Sequence, residues 1–227
     1  MKKAIWLGDS HFPFSNSAAL RKIVEFVRKF QPEIIGQIGD LYDQYSFSKY
    51  TTVRNQFTPQ QEMRRGFKMA TEMWASLRAA APRADRFQIL GNHDLRIRKR
   101  LLERLPDLDL EIRQKKLVDL DLLFAFDGVK VDMNYPNEIP FEGYLAIHGF
   151  RNKGEHVKYY HQNVVLGHLH VGGVDTIRAG NKTLWELNCG FLGNPKALVF
   201  KYGETGLRRW TPGFGLVDDL GPRFVAL

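Results

Sequence analysis

Five short segments collect the residues able to do chemistry: Gly8-Asp9-Ser10-His11, Gly39-Asp40-Leu41-Tyr42-Asp43, Gly91-Asn92-His93-Asp94, His148-Gly149 and Gly167-His168-Leu169-His170. Carboxylate oxygen, imidazole nitrogen and amide oxygen together suit borderline cations such as manganese, iron, cobalt or zinc; magnesium or calcium alone would favour nearly all oxygen. No cysteine occurs among them. An aspartate has two oxygens, so it can bridge two cations about 3.5 to 4 Å apart, and such a pair can clamp a phosphate and activate a water. Taken singly the segments are weak signals, since Asp-x-His and His-x-His are common on surfaces and Gly-Asp is common in turns. The ordered set is the signal, because each segment directly follows an apolar run.

Ligands this far apart in sequence need a scaffold that gathers them. Side chains leaving the carboxyl ends of neighbouring strands converge at one edge of an α/β sheet. Residues Lys3 to Leu7 read as a buried strand, the amphipathic stretch Ser17 to Phe30 as a helix capped by Ser17, and Ile34 to Ile38 as a second strand. After a polar loop from Gln44 to Thr58, Pro59 to Ala80 predicts a long helix and Arg86 to Leu90 a third strand. Leu95 to Leu105 reads as a helix ending at Pro106, and Asp107 to Asp121 leaves a further short helix open. The amino-terminal half is thus βαβαβ, the sign of a largely parallel sheet.

Beyond Gly128 the pattern becomes strand-rich: Lys130 to Asn134, Tyr144 to His148, Val164 to Leu166, Gly173 to Ile177, Thr183 to Asn188 and Ala197 to Tyr202, with Ala179-Gly180-Asn181-Lys182 as a hairpin turn. The fold class is α/β in one domain spanning 1–227, with 211–227 expected as a peripheral extension. At 227 residues, with 44% hydrophobic and 26% charged residues, the composition excludes the disordered and membrane classes. The apolar run Ala4 to Leu7 is too short for a signal-peptide core, so the expected location is the cytoplasm. The single cysteine, Cys189, allows no intrachain disulfide and reads as a small buried residue. Thirty-three Lys and Arg against 25 Asp and Glu give a formal charge of +8, which makes a polyanionic partner plausible.

In order and spacing, the five segments resemble the calcineurin-like metallophosphoesterase superfamily, whose pattern is D-x-H, G-D-x-x-D, G-N-H-(D/E), H and G-H-x-H. The resemblance covers Asp9 to His170. It implies a two-sheet β-sandwich flanked by helices. It also implies that Asp9, His11, Asp40 and His170 hold one metal, with Asp40 bridging to a second held by Asn92, His148 and His168. Two divalent ions are implied, manganese foremost, with iron, zinc, cobalt or nickel as alternatives. His93 is then no ligand but the group that contacts phosphate and protonates the leaving oxygen, with Asp43 orienting and charging it. Asp94 matches the last position of its motif as a group supporting the ligands.

The surroundings of the site must choose the ester. The leading expectation is a phosphodiesterase acting on nucleic acid. It rests on the basic helix after the Asn92-His93 turn, with Arg96, Arg98, Lys99, Arg100 and Arg104, and on Tyr42, Tyr45, Phe47 and Tyr50, whose rings could stack on bases. An ordinary solvated helix face and a packed loop would read the same way. Gln44 after Asp43 and Leu90 before Gly91 depart from the protein-phosphatase pattern. A small-ester hydrolase and a non-catalytic scaffold are the remaining readings.

Overall fold

The computed structural model describes residues 2–50, 53–108, 120–203 and 210–227. Strand β1 (Ala4–Leu7) is buried along its whole length. Successive strand residues face opposite ways, so Ala4 and Trp6 point into the space between two sheets while Ile5 and Leu7 point toward helices. Strand β2 (Ile34–Ile38) divides likewise, with Ile34 and Ile38 on one side and Ile35 on the other.

Helix α1 (Ser17–Phe30) joins these strands. Its cap is Asn16, whose side-chain oxygen accepts from Ala18 N and Ala19 N at 3.1 and 3.2 Å, so the expected Ser17 cap is corrected by one residue. Helix α2 (Pro59–Ala80) has the expected bounds, fixed by Pro59 in its first turn and a reciprocal Thr58–Gln61 capping box. Ile23 and Val27 of α1 and Ala70, Trp74 and Leu77 of α2 cover Ile5, Leu7 and Ile35.

Strand β3 (Asp85–Ile89), helix α3 (Arg96–Arg104) and strand β4 (Lys130–Asp132) follow, and β1 to β4 pair in parallel. The other edge of this sheet is built by the end of the chain. Strand β10 (Gly213–Asp218) pairs antiparallel with β1, and β11 (Gly221–Ala226) pairs with β10, giving the order β11-β10-β1-β2-β3-β4. The segment 211–227 is therefore integral to the first sheet, which corrects the peripheral extension expected from sequence.

The second sheet has the order β5-β6-β7-β9-β8. It is made of β5 (Ile139–Phe141), β6 (Tyr144–Ile147), β7 (Val164–Leu166), β8 (Gly172–Ala179) and β9 (Lys182–Cys189). The hairpin expected at Ala179 to Lys182 joins β8 and β9. Trp6, Ile38, Ile89, Tyr144, Val165, Leu187 and Cys189 fill the space between the sheets. Burial pushes the free Cys189 thiol well up, in keeping with a packing role. On the outer face of the second sheet, Val157 of helix α4 (Glu155–Tyr160) packs on Leu145, Ile147 and Val164. The result is helices, sheet, sheet and helix in layers, the two-sheet α/β arrangement expected.

Residues Ala197 to Tyr202 were expected as a strand, but Leu198–Gly203 is a 3-10 helix. Val199 and Phe200 are both buried in one aromatic cluster with Phe14 and Phe191, which successive residues of a strand could not reach together. The stretch left open after Pro106 shows short 3-10 turns at Pro106–Leu108 and Leu120–Phe124, and 109–119 lie outside the described residues. No described helix is long and apolar enough to cross a membrane.

Gly36 of β2 lies beneath the Trp6 indole, and an added Cβ there would come within 2.0 Å of the ring. Gly36→Ala is expected to destabilise the fold by about 1–3 kcal/mol, read from the midpoint of chemical denaturation. An unchanged midpoint would contradict this packing.

Candidate metal centre

Each motif lies just past the end of a strand. Asp9 and His11 follow β1, Asp40 and Asp43 follow β2, Asn92 and His93 follow β3, His148 follows β6, and His168 and His170 separate β7 from β8. Since β1, β2 and β3 are parallel neighbours, as are β6 and β7 in the facing sheet, these ends meet at one edge of the sandwich.

Potential ligand atoms of Asp9, His11, Asp40 and His170 all lie within 4.8 Å of one another, as do those of Asp40, His148 and His168. Asp40 belongs to both groups. Its Oδ2 is 3.9 Å from His11 Nε2 and 3.4 Å from His148 Nε2, while its Oδ1 accepts from His93 N at 2.8 Å. His11 Nε2 and His170 Nε2 are 3.2 Å apart, and His170 Nε2 is 3.5 Å from Asp9 Oδ1. Asn92 Oδ1 joins the second group, 3.1 Å from His148 Nε2. His148 Nδ1 donates to Ile38 O at 2.8 Å, which turns Nε2 toward the cluster as a metal ligand requires.

His93 stands beside this cluster, with Nε2 3.8 Å from Asp40 Oδ2 and Nδ1 3.5 Å from Asp43 Oδ2. Asp43 also binds His11 Nδ1 at 2.9 Å, so it holds a ligand histidine as well as facing His93. Arg96 completes the group: it donates to Asp43 O and Oδ1 at 2.9 and 3.1 Å, and its other terminal nitrogen is 2.9 Å from His93 Nε2. The Asp94 carboxylate accepts from Leu41 N, Tyr42 N and Gly91 N at 3.2, 2.8 and 2.9 Å, tying the β2 turn to the β3 turn.

The electrostatics follow from burial and proximity. Burial alone would raise Asp40, but His148, His93 and His11 hold it well below the usual carboxylate range. Asp43 is likewise held down, by His11 and His93 against its burial. Burial and the Asp40 charge push Asp94 up to about 7. Burial and His148 bring His168 down to about 4, leaving it neutral and able to coordinate. Burial would lower His148 too, but the charge and hydrogen bond of Asp40 outweigh it and raise His148 to about 9.

The backbone is strained where the candidate ligands sit. Asp9, His11, Asp40, His168 and His170 all take left-handed φ values, between 46° and 71°. Such conformations cost about 1–3 kcal/mol each and persist where surrounding structure over-determines them. Gly91 allows the closest approach: a Cβ there would lie 2.2 Å from Asp40 N and Oδ1.

The structure brings together Asp9, His11, Asp40, Asp43, Asn92, His93, Asp94, His148, His168 and His170. The expected substrate contacts divide. Tyr42 and Tyr45 are 1% and 2% exposed and their hydroxyls donate to Leu123 O and Val53 O, so neither ring is open for stacking. For Tyr45 the anchor is buried Glu62, which accepts from Tyr45 N, Ser46 N, Ser46 Oγ and Asn55 Nδ2 and pins the loop after Asp43 onto α2, while Tyr42 N donates to Asp94. Arg96 turns inward, Arg100 donates to Phe47 O, Arg98 is half-buried and Lys99 is exposed. Sequence reasoning missed Asn137, whose Oδ1 accepts from His148 N at 3.2 Å and whose Nδ2 donates to Leu90 O. It lies outside every motif, and no spacing signal would have found it.

The two-sheet sandwich flanked by helices, with the motif residues gathered at one edge, is the arrangement implied by the sequence's resemblance to the calcineurin-like metallophosphoesterases. No family model matches the chain. It is similar to the gene 54 protein of Mycobacterium phage D29, with 29% identity over 231 residues, covering 95% of this chain and 88% of that protein. Among solved structures it is similar to Yfce, a phosphoesterase from E. coli, at 13% identity and a TM-score of 0.42, covering 96% of this chain and 88% of that one. It is also similar to TT1561 of Thermus thermophilus, at 11% identity and a TM-score of 0.47, covering 99% and 98%.

A cation at Asp40 and His148 must displace the proton that His148 holds below about pH 9. Affinity for manganese should therefore rise with pH from neutrality toward 9 and fall as the solution is acidified, by up to about tenfold per pH unit for one displaced proton. Calorimetric titration in buffers of different ionisation enthalpy should show proton release. Affinity flat across that range would contradict the assignment.

Proposed function

We propose that this chain is a dinuclear metal-dependent phosphoesterase whose substrate is a phosphodiester of nucleic acid. The observation that supports it most is the Asp40 carboxylate, shared by two ligand groups and flanked by His93, which we read as the proton donor rather than a ligand and which faces Asp43, the carboxylate it shares with His11. The donor set of aspartate and histidine side chains plus an asparagine oxygen fits two borderline divalent cations, manganese foremost. When bound, such a pair supplies charge stabilisation to a phosphate and lowers the pKa of a water.

The remaining chemistry belongs to side chains. Asp43 Oδ2 stands 3.5 Å from His93 Nδ1, and Arg96 donates to Nε2 on the edge facing the cluster, so Arg96 must turn away before that nitrogen can carry the proton a departing alkoxide needs. Asp94 and Asn137 hold the turns that carry Asp40, Asn92 and His148.

Nucleic acid is favoured by the ground beside the centre. A cleft of about 190 Å3 adjoins Asn92 and is lined by Lys49, Tyr50, Arg96, Lys99 and Arg100, with Tyr50 69% exposed. Exposed Lys49 and Lys99 beside an accessible ring suit a phosphate chain carrying stackable bases, while Arg96 and Arg100 are engaged within the protein and Glu103 pairs with Arg100.

With manganese supplied, the protein is expected to hydrolyse bis-p-nitrophenyl phosphate and single-stranded DNA. A preparation that cleaves only monoesters would overturn the nucleic-acid assignment. His93→Ala should keep its metal while kcat falls roughly 100-fold or more, and undiminished activity in metal-matched samples would remove His93 from its role. Asp40→Ala should lose bound metal by elemental analysis, and full occupancy would exclude it as a bridge.

A further inference from the structure

The loop leaving His148 carries exposed rings. Phe150 is 41% exposed and Tyr159 of α4 is 53% exposed, with their ring centroids 5.7 Å apart and perpendicular. The Arg151 guanidinium lies over both, 4.1 Å from the Tyr159 centroid and 5.1 Å from that of Phe150, and Tyr160 backs Tyr159 at 4.9 Å. Arg151 Nε is buried and has no hydrogen-bond partner among the described residues. Phe150 is two residues past His148, so its Cα is within about 7 Å of that of the candidate ligand.

The loop beneath the rings is firmly held. His156 is fully buried, and its Nε2 accepts from both Phe150 N and Arg151 N at 3.0 Å. Its Nδ1 faces buried Glu186 of β9 at 3.3 Å, and Glu186 in turn accepts from Gly154 N and His156 N at 2.8 and 3.2 Å. The rings are therefore presented on fixed backbone, which lowers the ordering cost of binding.

We propose that Phe150, Arg151 and Tyr159 form a stacking platform for an unpaired base of a nucleic-acid strand whose phosphodiester lies at the metal centre. This rests on the nucleic-acid assignment made above. The guanidinium decides against an apolar protein partner, which would bury an unpaired charge at a cost. A nucleotide instead offers a π-face to the rings and guanidinium plane, and phosphate and base acceptors to the Arg151 terminal nitrogens. The formal charge of +8 favours the same partner.

The test is a fluorescence titration of phosphorothioate-linked single-stranded DNA carrying 2-aminopurine, a linkage that resists cleavage, performed with the manganese-loaded protein. The unaltered protein should bind and quench the probe, and Phe150→Ala/Tyr159→Ala should bind about tenfold or more weakly. Phe150→Trp/Tyr159→Phe should bind like the unaltered protein. Equal affinity of the alanine variant, absence of binding by the unaltered protein, or equal loss in both variants would each overturn the platform. Hydrolysis of bis-p-nitrophenyl phosphate by the manganese-loaded protein, run in parallel, separates the two ideas. Its absence would sink the phosphoesterase assignment whatever the titration gives; its presence with DNA bound equally by the alanine variant removes the platform alone, and its presence with no DNA bound by the unaltered protein removes the nucleic-acid assignment as well.

Discussion

One carboxylate organises the centre. Asp40 is 1% exposed, and an isolated anion so buried would be driven to its neutral form. It stays charged because His148, His93 and His11 surround it and the amide of His93 donates to it. The same negative charge has a reach beyond Asp40 itself, since it raises His148 and pushes Asp94 up toward neutrality. Several acidic and basic groups thus share a dry volume in which every protonation state depends on its neighbours. Two cations would relieve that tension by replacing protons as the positive partners.

Such a cluster needs rigid supports, and the sheets supply them. The candidate ligands adopt left-handed backbone at five positions, an arrangement a flexible loop would relax. Here each strained turn is anchored by a buried strand on its amino-terminal side and by side-chain bonds across the edge. Asp94 joins the β2 and β3 turns, the Asp9 carboxylate accepts from His168 N across the two sheets, and His148 reaches Ile38 O. Gly39 and Gly91 allow these turns to touch, because a Cβ on either would collide with His148 or Asp40. The glycines that precede the ligand residues are therefore part of the centre's geometry.

How legible this was depended on whether information lay in local pattern or in long-range packing. Strand β2 and helix α2 were readable to the residue, the first from its mostly apolar run, the second from Met63, Phe67, Ala70, Met73, Trp74 and Leu77 at helical spacing, with Pro82 just beyond its end. The motif residues were readable because each follows such a strand. Strands β10 and β11 were hidden by Gly213, Gly215, Gly221 and Pro222, which look like turn residues. Yet Gly213 and Gly215 are small because Phe224 and Cys189 occupy the space a Cβ would take. Tyr42 and Tyr45 misled for a related reason: their position next to Asp40 indicated contact with substrate, whereas the distant Leu123 and Glu62 hold them inward. The α4 helix, six residues long with His156 and Glu186 as its anchor, left no periodic signal at all.

The basic helix after the Asn92-His93 turn shows why formal charge is a poor measure of what faces a partner. Arg96 is tied to Asp43 and His93, and Arg100 to Phe47 O and Glu103, so two of its cations are already engaged within the protein. Lys99 is exposed, and its ammonium lies 5.9 Å from the Tyr135 ring centroid, itself near His148. The inward arginines serve the geometry of His93 and the loop beside it; the outward lysines and the rings around them meet the solvent. Attraction of a polyanion therefore depends on few side chains near the centre, and most of the +8 charge acts only as a long-range field that salt would screen within about 8–10 Å. Selectivity among phosphate esters must then come from the short-range surfaces on either side of Asp40, where rings and cations occur together.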